Sequence, residues 1–147
     1  MDPTGIRYRV PMVQTHITYE GSLRCRAVHA PSDSALVTDA PTDNHGKGES
    51  FSPTDLVGVS LGSCVLTILG MVAERQGWEL AGATVTVEKI MQTEPDRKIA
   101  RLELDIRIPG TFDGGQRELL EQAAGTCPVS ATLEGALEIR TRWEWDE

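Results

Sequence analysis

The sequence is poor in aromatic residues and in positive charge. Only 5% of its 147 residues are aromatic, so the apolar contacts of a core must come mainly from Leu, Val, Ile and Met. The 14 Lys and Arg residues are outnumbered by 22 Asp and Glu residues, which gives a formal net charge of −8. Because such a chain would repel nucleic-acid phosphates instead of neutralising them, its composition argues against a nucleic-acid partner.

Several targeting and binding signals are also missing. The N-terminus has no apolar stretch followed by a small-residue cleavage site, so we expect no signal peptide and a cytoplasmic protein. In a reducing compartment, cysteines are more often catalytic or metal-binding than structural. However, no CxxC or HxxxH spacing occurs and no phosphate-binding glycine motif is present. We therefore expect neither a metal nor a cofactor.

One uncharged segment has the length of a membrane span. Residues 56–73 contain no charged side chain and reach the minimum length for a transmembrane helix. Glycine, serine and threonine dilute the apolar content, Asp55 and Glu74 flank the segment closely, and Arg75 is its only basic anchor. We interpret the segment as a buried central helix and expect no membrane contact.

The ends of this helix are clearly marked. Ser52 is a good N-cap and Pro53 suits the first helical position, while Asp55 completes a pattern that resembles a capping box. The pattern predicts a helix that runs to about Gln76, followed by Gly77 as the residue after the cap. The helix is apolar on nearly every side, so we expect protein to surround it.

The rest of the chain predicts an α+β domain over residues 1–147. Alternating apolar and polar residues predict strands, and Gly, Pro and Asp mark turns. The expected elements are strands within 7–29 with a turn at 20–22, a strand at 35–38, a loop at 39–50, a hairpin with strands near 85–91 and 102–108, helices at 115–124 and 128–135, and a last strand at 137–145. One antiparallel sheet covers only one side of the long helix, so an intertwined dimer would cover the rest.

The three cysteines differ in their surroundings. Cys64 lies in the middle of the long helix, where it is either a small core residue or a nucleophile. Cys127 lies between a helix-breaking glycine and a helix-opening proline, where unpaired amide groups lower a thiol pKa, although a packing role fits as well. Cys25 faces away from Arg24 and Arg26, so we interpret it as structural. The distance between Cys64 and Cys127 along the sequence neither supports nor excludes a contact between them.

Five segments together resemble the OsmC/Ohr family of organic hydroperoxide resistance proteins. The main similarity is GKGESFSPTDLV at residues 46–57, followed by LGSC at 61–64. CPVS at 127–130 is similar to the second motif of that family, and YEGSLR at 19–24 and LVTD at 36–39 are also similar. The likeness covers most of the chain from about residue 14, in the right order.

The resemblance implies a fold and a set of site residues. The fold is an α+β homodimer in which antiparallel sheets from both subunits wrap around two central helices, with two active sites at the interface. Cys64 matches the peroxidatic cysteine and Cys127 the resolving cysteine. Glu49 matches a glutamate that holds an active-site arginine by bidentate hydrogen bonds. We identify that arginine as Arg24, with Arg26 on the same strand face as the alternative.

The implied activity is thiol-dependent reduction of organic hydroperoxides to alcohols through a Cys64–Cys127 disulfide. The resemblance suggests a dihydrolipoyl protein as reductant, and apolar walls from Leu61, Ile68 and Met71 would favour apolar peroxides. The chain has serine before Pro53 where Ohr proteins usually have asparagine, so it lies closer to the OsmC-like branch. The alternatives are a dimeric protein that binds a small apolar ligand and a thiol redox sensor without turnover.

Overall fold

The computed structural model describes residues 12–146, which form two compact units divided after Pro53. The first unit contains a three-stranded antiparallel sheet in the order β1-β2-β3. Its strands are β1 (Thr15–Gly21), β2 (Arg24–His29) and β3 (Ala35–Asp39). The part of the expected strand pattern before residue 12 lies outside the described residues. Within them, a turn joins β1 and β2 as predicted, but it lies at Ser22 and Leu23, because Glu20 and Gly21 still belong to β1.

The loop after β3 is held in a tight conformation. It contains a short 3-10 helix, Thr42–Asn44, and returns so that the amide of Asp39 donates to the Phe51 carbonyl at 3.0 Å. At Gly46 a Cβ atom would lie 1.7 Å from the carbonyl oxygen of Ala40, so no other residue fits without moving the backbone. The polar loop that was predicted over residues 39–50 is therefore an ordered turn.

The second unit packs helices on a second three-stranded sheet. Its elements are α1 (Pro53–Gln76, which begins at the division between the units), β4 (Thr84–Gln92), β5 (Lys98–Ile108), α2 (Gly114–Ala124), α3 (Pro128–Leu133) and β6 (Glu138–Trp145). The strand order is β4-β5-β6. The β4–β5 hairpin is antiparallel as predicted, but β6 runs parallel to β5. The sheet is therefore mixed, and the antiparallel pairing expected from the sequence is wrong for β6.

The core of this unit lies between α1 and β5. Leu61, Val65 and Leu69 form the buried stripe of α1, at the spacing that one helix face requires. They belong to one apolar cluster with the inward residues of β5, of which Leu104 is 1% exposed. Burying each leucine side chain contributes about 2 kcal/mol. Alternation in β5 thus gives the sheet one apolar face and one charged face.

Two glycines allow α1 to approach β4 closely. A Cβ atom on Gly58 would meet Val87 at 3.3 Å, and one on Gly62 would meet Val87 and Val85 at 3.0 and 3.1 Å. An alanine at either place would press on β-branched side chains that have little freedom to move. The two glycines therefore let α1 lie close against the sheet.

The opposite side of α1 is open. Val59 and Met71 are 46% and 47% exposed, which is unusual for large apolar side chains. By length and composition α1 is long and apolar enough to cross a membrane, but core helices of soluble proteins meet the same criterion. Only 33% of its most apolar window is buried. Its own unit therefore covers one face of the helix and leaves the other uncovered.

Candidate functional site

The two cysteines of the second unit lie next to each other. Cys64 comes from the middle of α1 and is half-buried, whereas Cys127 is fully buried at the N-terminus of α3. Cys64 packs against the cluster that contains Cys127 and is near enough to raise the pKa of its thiol, and neither cysteine forms a disulfide in this structure. The fold thus brings together two residues that are 63 positions apart in the sequence, and only one of them reaches the surface.

The turn between α2 and α3 places Cys127. The amide groups of Thr126 and Cys127 donate to carbonyls in the last turn of α2, at 2.9 and 3.3 Å. Pro128 then occupies the first turn of α3, and the amide of Ser130 donates to the Cys127 sulfur at 3.5 Å. Cys127 is therefore the N-cap of α3, which begins where the sequence predicted a helix.

The electrostatic consequence differs from the prediction. Burial raises the pKa of the Cys127 thiol, and the hydrogen bond with Cys64 raises it further. The backbone amides of Ser130 and Val129 act in the opposite direction but are outweighed. The expectation that this helix start would lower the pKa of Cys127 is wrong, because removing the thiol from water costs the thiolate more than the amides restore.

The third cysteine belongs to the first unit. Cys25 is half-buried in β2, where its cross-strand neighbours are Tyr19 and Thr38. Among residues 12–146, no group of three or more His, Cys, Asp or Glu residues is arranged to hold a metal ion. Cys25 therefore lies within the paired sheet of the first unit.

The candidate arginine is held by two carboxylates. Arg24 donates from Nε to Asp39 Oδ1 at 2.9 Å and from Nη2 to Asp39 Oδ2 at 2.8 Å. The same Nη2 donates to Glu49 Oε2 at 2.8 Å. The expected contact between Glu49 and Arg24 is observed, but it is a single bond. The bidentate partner is Asp39, which the sequence analysis did not identify as a site residue.

The alternative arginine has a different partner. Arg26 donates from Nε to Glu20 Oε1 at 2.7 Å, and both side chains are at least one-third exposed. Among the described residues, Glu49 forms its ion pair with Arg24 and none with Arg26. The geometry therefore favours Arg24 as the arginine that belongs with Glu49.

Asp39 is an ionised carboxylate inside the protein. Its side chain is 2% exposed, and the hydrogen bonds from Arg24 hold its pKa below the ordinary value although burial acts in the opposite direction. The backbone amide of Glu49 adds a third hydrogen bond at 3.1 Å. Arg24 correspondingly has a raised pKa, mainly because of Asp39, so the pair stays charged at any physiological pH.

The three apolar residues expected to line the substrate site do not form one wall. Leu61 is fully buried in the core of the second unit, Ile68 is half-buried, and Met71 is 47% exposed. The helix turns about 100° per residue, so Leu61 points towards the sheet while Met71 points outwards. Leu61 therefore offers no exposed surface, whereas Ile68 and Met71 do, and the apolar substrate wall stays a prediction.

Residues 58–62 match the GxSxG pattern of hydrolases, but their structure does not fit it. In those enzymes the serine occupies a sharp turn between a strand and a helix. Here Ser60 lies inside α1 and its hydroxyl donates to the Val57 carbonyl at 2.8 Å. The hydroxyl is thus bonded to the backbone of its own helix and has none of the surroundings of a catalytic serine.

Comparison with known proteins identifies the family. The OsmC-like protein family model matches residues 46–142, about two-thirds of the chain. The chain belongs to the OsmC-like family. The matched segment contains Glu49, Cys64 and Cys127, whereas Arg24 and Asp39 precede it. A search of the curated proteins found no significant match.

Solved structures agree with this membership. A candidate osmotic stress induced and detoxification response protein from Psychrobacter arcticus is 36% identical, with a TM-score of 0.86 over 94% of this chain and 100% of the other. An organic hydroperoxide resistance protein OsmC from Legionella pneumophila is 17% identical, with a TM-score of 0.75 over 93% and 99%. One from Elizabethkingia anophelis is 17% identical, with a TM-score of 0.76 over 95% and 100%. The α+β OsmC/Ohr fold is thereby confirmed.

Within this OsmC-like chain, the candidate residues form two groups. In the second unit Cys64 contacts Cys127, and in the first unit Arg24 contacts Glu49. Asp39 belongs with Arg24 and Glu49, because it lies directly opposite Arg24 on the neighbouring strand. The cysteine pair can undergo thiol oxidation, and the other group holds a guanidinium in a fixed position.

Proposed function

We propose that this OsmC-like protein reduces organic hydroperoxides to alcohols through a disulfide between Cys64 and Cys127. The observation that carries this proposal is the contact between a half-buried thiol and a fully buried one. Two adjacent thiols are suited to reversible oxidation to a disulfide. Their unequal burial supports Cys64 for the first reaction, since a peroxide can reach it, and Cys127 for the second.

In the first step the Cys64 thiolate attacks the terminal oxygen of the hydroperoxide, the one that carries the hydrogen. A sulfur–oxygen bond forms, the oxygen–oxygen bond breaks, and the alkoxide leaves with a proton as the alcohol. Cys64 becomes a sulfenic acid and the peroxide is reduced by two electrons. Arg24, held by Glu49, acts here as the family resemblance implies, by stabilising the thiolate and the charge that develops on the leaving oxygen.

In the second step Cys127 attacks the sulfur of the Cys64 sulfenic acid. The sulfur–sulfur bond forms and the hydroxyl leaves as water. A raised pKa keeps Cys127 protonated until then, so its proton is available to the leaving oxygen. A dithiol then reduces the disulfide by exchange and is itself oxidised, which returns both cysteines to thiols. A dihydrolipoyl protein is the reductant that the resemblance suggests, and a reducing compartment such as the cytoplasm suits this cycle.

The proposal includes a homodimer built on the open side of α1. Ser60, Ser63 and Thr67 line that side, and each hydroxyl donates to a carbonyl of the same helix at 2.7 to 2.8 Å. Small residues whose polar atoms are already bonded allow another helix to pack closely without leaving unsatisfied groups. The exposed Val59 and Met71 would be buried in the same contact, as a second copy of this chain would provide.

A Ser63→Glu substitution is expected to disrupt that dimer. The new charge is harmless on a solvated monomer but would be buried without a partner between two helices. Sedimentation velocity at micromolar concentration should give a dimer for the wild type and a smaller species for the variant. Thr93→Glu, in the exposed loop between β4 and β5, is the matched control and should remain dimeric. A wild type that sediments as a stable folded monomer would contradict the proposal.

The peroxidase proposal is tested by turnover with a defined reductant. Loss of cumene hydroperoxide and of hydrogen peroxide is measured with dihydrolipoamide in excess. We expect many turnovers per subunit and faster consumption of cumene hydroperoxide, because the surface around Ile68 and Met71 is apolar. A single equivalent consumed per subunit would indicate a redox sensor instead. No consumption at all would leave the ligand-binding alternative.

A further inference from the structure

The first unit contains a carboxylate for which the family resemblance supplies no role. Asp39 ends β3 at the position directly opposite Arg24 in β2, and it contacts both Nε and Nη2 of that arginine. We infer that Asp39 is the positioning residue that fixes the Arg24 guanidinium, and that Glu49 is a secondary anchor. This inference rests on the proposed function, because it concerns the arginine that acts on the peroxide.

The two carboxylates differ in how firmly they can hold a cation. The side chain of Asp39 is 2% exposed and projects from a paired strand, whereas that of Glu49 is 59% exposed on a loop. Water and salt screen an exposed ion pair and weaken it, while a buried bidentate pair is screened much less. Asp39 also has one fewer rotatable bond than Glu49. The orientation of the guanidinium is therefore set mainly by the strand.

Asp39 also holds in place the loop segment that carries Glu49, the other carboxylate bound to Arg24. Its Oδ2 accepts a hydrogen bond from the backbone amide of Glu49 at 3.1 Å as well as one from Arg24. The loop reaches this position because Gly46 passes against Ala40 and Gly48 adopts a left-handed conformation, with φ of +64°. A single buried carboxylate therefore holds both the arginine and the loop segment that carries Glu49.

This arrangement leaves one edge of the Arg24 guanidinium available to bind a substrate. Among residues 12–146, the side-chain bonds to Arg24 use Nε and Nη2 and none uses Nη1. Nη1 can then donate to the oxygen that leaves the peroxide, in a direction that Asp39 determines. A charge effect of Asp39 would act in the opposite sense, because its negative charge offsets the arginine and disfavours a nearby thiolate. Removing Asp39 thus slows the reaction if it positions Arg24 and accelerates it if only its charge matters.

The test measures sulfenic acid formation at Cys64 in a Cys127→Ser background, which isolates the first step. With cumene hydroperoxide, Asp39→Asn should slow this step about 10- to 100-fold, the range expected for a hydrogen bond to a charged group, and more than Glu49→Gln does. Asp39→Glu keeps the charge but shifts the carboxylate by one methylene, so it should also be slow. In an Arg24→Gln background, Asp39→Asn should have no further effect.

A matched control is available in the second unit. Asp105 forms a bidentate pair with Arg142, its cross-strand partner, at 2.6 and 3.1 Å. Asp105→Asn removes the same kind of interaction outside the proposed site and should leave the rate unchanged. Thermal midpoints for all variants separate a loss of folded protein from a slower reaction. A rate for Asp39→Asn and Asp39→Glu equal to or above that of the parent would overturn the inference.

A second measurement does not depend on peroxidase activity. The Nε–H proton of Arg24, identified by its loss in Arg24→Gln, should give a slowly exchanging NMR signal in the wild type and in Glu49→Gln. The signal should be lost or exchange rapidly in Asp39→Asn. If the wild type fails to react with peroxide but this pattern is observed, the proposed function is wrong and the anchor stands. If the signal depends on Glu49 instead, the anchor is wrong whatever the peroxide result.

Discussion

A Cys64→Ser variant should consume organic hydroperoxide no faster than the uncatalysed reaction with the reductant. A serine hydroxyl has nearly the same size as a thiol but is far too weak an acid to supply the nucleophile at neutral pH. Cys127 cannot replace it, because that thiol is fully buried and burial raises its pKa. Peroxide loss with dihydrolipoamide measures the effect directly, and it is the largest that we expect from any substitution in this chain.

Cys25→Ser is the control for this prediction. Cys25 is half-buried in the sheet of the first unit and has no role in the proposed cycle, so turnover should be unchanged. Both variants should have thermal midpoints near that of the wild type, since a serine replaces a cysteine of similar volume in each. Residual turnover in Cys64→Ser, or its loss in Cys25→Ser, would mean that the peroxidatic cysteine has been assigned wrongly.

The long helix could be predicted from sequence because both of its ends are determined locally. Pro53 is favoured only in the first turn of a helix, and Gly77, with φ of +72°, adopts the left-handed conformation that ends one. The structure gives α1 as Pro53–Gln76, the predicted bounds. Strands with clear alternation of apolar and polar residues, such as β5, could also be predicted, because that pattern is local in the sequence. The prediction of a single domain over residues 1–147 remains a prediction.

The direction of the last strand was predicted wrongly, although the sequence contains a signal for it. Parallel strands need a crossover of a dozen or more residues between them, while a hairpin needs only a few. Residues 109–137 contain two helices between β5 and β6, which is the length of a crossover. The alternation in the last segment locates the strand, but it does not indicate which strand pairs with it or in which direction.

Residues of the candidate site could be predicted only where the residue type and its neighbours in sequence indicate its role. Cys64, Cys127, Arg24 and Glu49 were found through motifs, and the contacts within each pair are observed. Asp39 was missed because its role depends on register, which places it opposite Arg24 across a hairpin. The pKa of Cys127 was predicted in the wrong direction because the burial of a thiol depends on how the whole unit packs. The local sequence indicates the backbone amides near Cys127, but it does not indicate that folding removes the thiol from water.

A Cys127→Ser variant should separate the two steps of the cycle. Cys64 should still react with one equivalent of organic hydroperoxide, because its thiolate does not need Cys127 to break the oxygen–oxygen bond. The resulting sulfenic acid then has no neighbouring thiol to condense with, and a serine hydroxyl does not form a disulfide. We expect oxidation to continue to the sulfinic and sulfonic acids, so turnover stops after about one cycle as peroxide is added.

Mass spectrometry of peroxide-treated proteins distinguishes the fates of the three cysteines. One equivalent of peroxide should give the wild type a Cys64–Cys127 disulfide, two mass units lighter than the dithiol, and leave Cys25 free for alkylation. The Cys127→Ser variant should instead gain two or three oxygen atoms on the Cys64 peptide under excess peroxide. A disulfide that includes Cys25 would show that the adjacency of Cys64 and Cys127 is not used for resolution. A Cys64 that stays reduced in both proteins would exclude the peroxidase mechanism and favour the ligand-binding alternative.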